Sequence, residues 1–243
     1  MRLKLIIAYD GRPFRGWQSQ AGGNTVQDHI EAAFKTICGV RVAVNGSGRT
    51  DAGVHALGQC AHVVVEHHRL LSGDWVAALN ANLPREIRIL KSMPAGKDFH
   101  ARFSAKGKIY TYQIWNHPVL SPFQTGRTWH LPDALDLPFM DVCARGLCGR
   151  LDFAAFSANR GHHVANTIRT IRRIKIQKKG SLVTLVYEGD GFLYKMVRLM
   201  TGSLVRCARH RAGQEWLAEL LEGKAKTSHA APAEGLYLTR VIY

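Results

Sequence analysis

The sequence predicts an α+β protein of two halves, about residues 1–105 and 106–243, in each of which strands and helices alternate. Three observations lead there. The chain has 243 residues and 46% hydrophobic side chains, enough length for one large or two small domains and enough apolar surface to bury their core. Apolar residues recur with a period of two in some segments and of 3.6 in others. A similar order of elements starts again near Lys108, although no residue-level repeat accompanies it. Such halves bury their apolar faces when their strands join one sheet, with a cleft between the halves.

In the first half, Leu3, Leu5, Ile7 and Tyr9 fall on one face of a strand. Thr25 to Ile37 reads as a helix: Val26, Ile30, Ala33, Phe34 and Ile37 form a stripe, and Thr25 with Asp28 fits a capping box. Val42–Asn45 and Ala61–Glu66 read as strands flanking a glycine-rich turn, Ser72–Ala81 as a helix and Glu86–Lys91 as a strand. In the second half, Ile109–Trp115 is a strand rich in aromatics, and a helix follows Pro132 and ends near Gly149. Thr167–Lys178 and Leu182–Glu188 are strands joined by a turn at Lys179-Gly180. Phe192–Arg206 is a strongly apolar helix, Gln214–Leu221 a short one, and Gly235–Ile242 a final strand.

Composition narrows the function. Lysine and arginine number 33 against 18 acids, a formal net charge of +15 with a pI near 10.0, which points to a polyanionic partner. No stretch approaches the ~20 apolar residues of a membrane span, and the apolar run at Met1–Ala8 is too short for a secretory core. Five cysteines at irregular spacings, without a Cys-x-x-Cys pair, read as reduced thiols of a cytoplasmic protein and argue against structural zinc.

The cations are grouped. Phe99 to Pro132 contains no acid but carries Arg102, Lys106, Lys108 and Arg127. Between Asp152 and Glu188 lie Arg160, Arg169, Arg172, Arg173, Lys175, Lys178 and Lys179, again without an acid. A third such window, between Asp190 and Glu215, holds Lys195, Arg198, Arg206, Arg209 and Arg211. Windows this long favour a phosphate-binding face over an ordinary solvated surface. Phe103, Tyr110, Tyr112 and Trp115 stand beside these charges where rings stack on unpaired bases, though Tyr112 and Trp115 read better as sheet core.

Gly46–Ala56, GSGRTDAGVHA, is the most unusual segment. Glycines bracket Arg49, Thr50 and Asp51, so the backbone turns tightly there and fixes one carboxylate. A turn aspartate capping its own backbone is the commoner use of the residue. Arg198 is the second anomaly, in FLYKMVRLMTGSLV between Val197 and Leu199. A buried guanidinium needs a carboxylate, and Asp51 is one of few candidates; a rim position reaching solvent or phosphate fits equally. The twelve histidines show no ligand spacing; His67-His68 and His162-His163 are adjacent pairs, the latter in a basic loop from Ser157 to Asn166.

Six stretches resemble the tRNA pseudouridine synthase A family: YDGRPFRGWQSQ (Tyr9–Gln20), NTVQ before the first helix, GSGRTDAGVHALGQ, FHARFSAKGKIYTY (Phe99–Tyr112), GFLYKMVR (Gly191–Arg198) and APAEGLYLTRVIY (Ala231–Tyr243). They lie in the family's order, and RTDAGVHA is the most specific. The resemblance implies the pseudouridine synthase fold: two α/β halves sharing a mixed, largely antiparallel sheet with a basic central cleft. It implies isomerisation of uridine to pseudouridine at positions 38, 39 and 40 in the anticodon arm of tRNA. It implies a homodimer holding one tRNA across both subunits, with no metal or organic cofactor. Residue by residue, it implies Asp51 as the catalytic aspartate, Tyr110 as the substrate-contacting tyrosine and Arg198 as the arginine partner. Arg49, Thr50, His55, Arg102, Lys106, Phe192 and Met196 are the further residues expected at the substrate or RNA.

The chemistry agrees. N1–C1′ must break, the uracil must turn, and C5 must join C1′; no group is added and no electron changes hands, so no cofactor is demanded. One carboxylate serves either as nucleophile or as stabiliser of an oxocarbenium-like sugar, and both routes fit the sequence. The alternatives are a basic RNA-binding module without chemistry and an N-glycosidase that releases uracil.

Overall fold

The computed structural model describes residues 1–66, 70–158 and 166–243. His67, His68, Arg160, His162 and His163, with most of the Ser157–Asn166 loop, lie outside the described residues. The chain forms two compact units, Met1–Lys106 with Tyr237–Tyr243, and Gly107–Leu236.

In the first unit, β1 (Arg2–Tyr9) buries Leu3, Leu5, Ile7 and Tyr9 and leaves the alternate positions partly open. α1 (Val26–Cys38) begins at the expected cap: Thr25 accepts from the Asp28 amide, and the Asp28 carboxylate accepts from the Thr25 amide. It ends at Gly39, whose φ of 74° supplies the left-handed terminus. Its stripe of Val26, Ile30, Ala33 and Phe34 is buried, and the Phe34 ring packs on Trp75 with centroids 5.3 Å apart.

The next strands differ from the periodicity reading. β2 is only Asn45–Gly46. Val42 and Val44 are buried, but the Val44 amide donates to the Glu31 carboxylate at 3.2 Å, so a side chain replaces a strand partner. β3 (His55–Val64) starts six residues before the expected Ala61. Most of its positions are buried, which removes the alternation that marks a half-exposed strand. α2 (Asp74–Ala81) and β4 (Ile87–Pro94) follow. β3 and β4 both pair antiparallel with β1.

In the second unit, β5 (Gly107–Asn116) pairs in parallel with β6 (Trp129–Leu131), a strand too short for sequence periodicity to reveal. α3 (Leu137–Arg145) starts later than expected after Pro132, because Asp136 is its cap and accepts from the Phe139 amide at 2.9 Å. β7 (Gly149–Asp152) pairs antiparallel with β8 (Ile168–Lys179), β8 with β9 (Leu182–Gly189), and β9 with β5. Gly180, at φ 58°, makes the β8–β9 turn.

α4 (Met196–Ala208) starts four residues after the expected Phe192, because Lys195 takes a left-handed φ of 58°. Phe192–Lys195 is instead a turn in which the Met196 amide donates to the Leu193 carbonyl. α4 is buried along almost its whole length. α5 spans Gln214–Leu221 as expected, and β10 (Leu236–Ile242) closes the chain. β10 pairs in parallel with β3 through Tyr237 opposite His55 and Leu238 opposite Ala56, which brings the last seven residues into the first unit. The fold is thus mixed α/β with mostly antiparallel strands, as the sequence implied.

Candidate active site

The segment Gly46–Val54 is gripped by residues 9–17. Ser47 donates its amide to the Cys60 carbonyl at 2.7 Å, and the Gln59 amide group donates to the Gly48 carbonyl at 2.8 Å, fixing the loop's start on β3. The Trp17 amide donates to the Thr50 carbonyl at 3.1 Å. The Tyr9 and Thr50 hydroxyls are 2.8 Å apart, both buried. Burial raises the Tyr9 phenol well above its ordinary pKa, against the hydrogen bonds from Thr50 and Gln59, so it stays neutral.

Two glycines make this grip possible. Gly16 has φ +88°, and a Cβ there would lie 2.6 Å from the Thr50 carbonyl oxygen. A Cβ at Gly11 would overlap the Val54 carbonyl. Backbone therefore packs on backbone on both sides of Asp51. The loop closes with the Val54 amide donating to the Asp51 carbonyl at 3.1 Å, aided by Gly53 at φ 78°. Asp51 itself is half-buried.

Beyond the loop, His55 is buried and its Nδ1 accepts the Gly11 amide hydrogen at 3.1 Å. Its ring stacks on Tyr237 with centroids 4.6 Å apart, and Asp10 Oδ1 is 3.3 Å away. Partial burial raises the Asp10 carboxyl, but hydrogen bonds and charge from Arg12 outweigh it, and the group ends below its ordinary pKa. Arg49 is exposed, with Nε donating to Gln18 at 3.2 Å. Thr50 and His55 are thus interior residues that secure the loop, while Arg49, Arg102 and Lys106 are on the surface of the same unit.

In the second unit, Tyr110 is 8% exposed and meets Phe192 edge-on, with centroids 5.0 Å apart. Met196 is fully buried, its sulfur accepting from the Leu193 amide at 3.4 Å. Arg198, half-buried on α4, donates Nε to the Ala231 carbonyl at 2.7 Å, and the Ala231 amide returns a bond to the Arg198 carbonyl at 3.0 Å. This close approach needs Gly202, where a Cβ would overlap the His229 carbonyl oxygen. Tyr112, read as core, is fully buried and donates to the Pro232 carbonyl at 2.7 Å; burial raises its phenol pKa despite the charge of Arg198 nearby.

The sequence reading overlooked Tyr9, Gly11, Gly16 and Trp17 as the grip on the Asp51 loop. The available signal was the glycine pair at 11 and 16 inside an aromatic-rich, polar stretch directly after a strand. Among the described residues no group of three or more His, Cys, Asp or Glu side chains is arranged to hold a metal ion, and no helix is long and apolar enough to cross a membrane.

The family model described as tRNA pseudouridine synthase matches residues 5–104 and 143–243. A tRNA pseudouridine synthase A of Akkermansia muciniphila is 45% identical over 251 residues, covering 100% of this chain and 95% of its own. Its counterpart in Methylacidiphilum infernorum is 41% identical, covering 99% and 94%. The one in Acetivibrio thermocellus is 39% identical, covering 99% of both chains. Full-length identity at this level, together with a family model spanning most of the chain, makes this protein a member of the tRNA pseudouridine synthase family of isomerases.

Proposed function

We propose that the protein isomerises uridine to pseudouridine at positions 38, 39 and 40 of the tRNA anticodon arm, with Asp51 as the catalytic carboxylate. The observation that carries this reading is the doubly gripped Asp51 loop. A reaction that must intercept a sugar within one active-site encounter needs its carboxylate fixed in advance, and this loop is fixed by backbone and buried hydroxyl bonds at Thr50, before Asp51, and by the Asp51–Val54 backbone turn after it.

Asp51 attacks or shields the reacting centre as N1–C1′ breaks. The freed uracil turns, C5 bonds to C1′, the C5 proton leaves and N1 gains one, so atoms and electrons balance without a cofactor. Arg198 is the guanidinium that keeps Asp51 ionised and aimed. Tyr110 stacks against the uracil and assists loss of the C5 proton. Extruding the base from its stack costs a few kcal/mol, which favours loop and stem-end targets. The exposed cations of β8, among them Lys175, Lys178 and Lys179, hold the backbone meanwhile. The protein works in the cytoplasm as a homodimer that holds one tRNA across both subunits.

Nucleoside analysis of uridine-only tRNA after incubation tests the reading. Pseudouridine is expected; unchanged nucleosides with salt-sensitive binding would identify a non-catalytic RNA-binding module, and free uracil an N-glycosidase. Asp51→Ala and Asp51→Asn are expected to lower turnover more than about 10³-fold with tRNA binding largely retained. Normal turnover in either variant would remove Asp51 from the mechanism. Arg198→Lys, which loses the bidentate fork, is expected to impair turnover more than affinity.

A further inference from the structure

Phe103 is 76% exposed, on a turn whose backbone is unusually well fixed. The His100 amide donates to the Ser104 hydroxyl at 3.0 Å, and the Ser104 amide returns to the His100 carbonyl at 2.9 Å. His100 Nδ1 accepts from the Arg102 and Phe103 amides at 3.1 and 3.3 Å. The second residue of the turn, Ala101, is fully buried; its amide donates to His62 Nδ1 at 3.1 Å and its carbonyl accepts from the Tyr243 hydroxyl at 2.7 Å. Arg2 donates to the Phe99 carbonyl at 2.6 Å. Burial pushes the His62 imidazole down to about 4, with the electrostatic influence of its neighbours His100 and Arg2 adding to it, so at neutral pH it is the acceptor this bonding requires.

A single exposed apolar side chain is ordinary and by itself means nothing. This one differs in three ways. Its backbone is held by the bonds of the His100–Ser104 turn, so the base of the side chain is fixed in place. Its ring lies beside the His100 ring, centroids 4.4 Å apart at 33°, and the Arg102 guanidinium is 5.5 Å from its centroid. Its surroundings are cationic: Lys97, Arg102 and Lys106 are exposed, Asp98 is the one exposed acid beside them, and no further acid occurs before Asp133. A largely exposed ring flanked by cations fits a flat aromatic ring attached to an anionic backbone.

We propose that Phe103 is a stacking platform for an unpaired base of the RNA substrate, a base other than the one that reacts, with Arg102 meeting a flanking phosphate. The inference rests on reading the protein as an RNA-modifying enzyme. The base adds to the tilted His100–Phe103 ring pair, and the cost of ordering the platform's backbone has already been met in folding. Because every base has a π face, the contact adds affinity without strict sequence preference.

The test uses the full-length protein and an unmodified tRNA transcript, with dissociation constants measured across a salt series. Phe103→Ala is expected to bind about tenfold more weakly with an unchanged salt slope. Phe103→Trp is expected to bind within about twofold of wild type, and its added indole to be quenched by RNA beyond the wild-type response. Arg102→Ala is expected to reduce the salt slope by about one. Wild-type affinity in Phe103→Ala overturns the proposal. So does equal rescue by Phe103→Leu, which would make the contact merely apolar, or a change in sedimentation of Phe103→Ala without RNA, which would make the surface a protein contact. Pseudouridine formation by the wild type, measured on the same transcript, tests the catalytic reading separately from this one.

Discussion

The Tyr9 and Thr50 hydroxyls, 41 residues apart in sequence, lie 2.8 Å from each other in the interior of the first unit. The bond joins the last residue of β1 to the residue immediately before Asp51. It ties the loop residue beside Asp51 to a paired strand of the sheet, so the stiffness of that strand is passed to the loop.

Removing that bond from either side is expected to reduce turnover while leaving RNA affinity nearly intact. Tyr9→Phe takes from the Thr50 hydroxyl its Tyr9 partner at a cost of about 1–3 kcal/mol, while Thr50→Val leaves the Tyr9 hydroxyl its hydrogen bond with Gln59. Thr50→Ser keeps the hydroxyl and is expected to restore kcat. Single-turnover rates and filter-binding affinities, read as a double-mutant cycle, check this; equal losses in kcat and affinity would contradict it.

Gly16→Ala combines two penalties, a left-handed φ of +88° and a Cβ 2.6 Å from the Thr50 carbonyl oxygen. The expected loss exceeds about 2 kcal/mol. Gly23 is the control: its φ is +60°, but nothing lies within 4 Å of its Cβ position, so Gly23→Ala is expected to lose only about 1 kcal/mol. Denaturant midpoints of the two variants separate backbone strain from collision.

Glycine to alanine inside a helix ordinarily gains about 1 kcal/mol. At Gly202 of α4 the sign is expected to reverse, because the added methyl meets the His229 carbonyl and pushes 229–231 away from the helix. The two bonds between Arg198 and Ala231 loosen with it. Gly202→Ala should lower the melting temperature, and turnover should fall further than RNA affinity, since Arg198 loses its orientation.

His62 makes stability fall with acid. Its imidazole is held down to about 4 by burial first, with smaller electrostatic contributions from His100 and Arg2, against an ordinary value of 6.5. Between those values the unfolded chain takes up a proton that the folded chain refuses, so stability declines as pH drops below about 6.5 and this contribution is fully lost near 4. His62→Asn keeps an acceptor for the Ala101 amide and cannot titrate. Melting curves between pH 4 and 7 are expected to show a shallower decline in that variant than in wild type.

Much of the fold was legible locally. The alternation of Leu3, Leu5, Ile7 and Tyr9, the Thr25–Asp28 capping box and the whole of α5 follow from a few neighbouring residues, and the structure contains each of them. The failures have a common cause. β3 is buried on most positions, so its start was invisible to alternation. α4 lost its first turn to the left-handed Lys195, which no periodicity reports. β6 and β7 are three and four residues long, below the length at which a period can be seen.

By itself, the sequence determined the two periodicities, the basic windows and the glycine bend that isolates one aspartate, because each of these is written in residues close together along the chain. Only the tertiary structure decided what surrounds that bend. Tyr9, Gly11, Gly16 and Trp17 reach the Asp51 loop through the path of the backbone, and β10 reaches β3 across most of the chain's length. Contacts of that range depend on where folded elements come to rest, and neighbouring residues carry no signal of it.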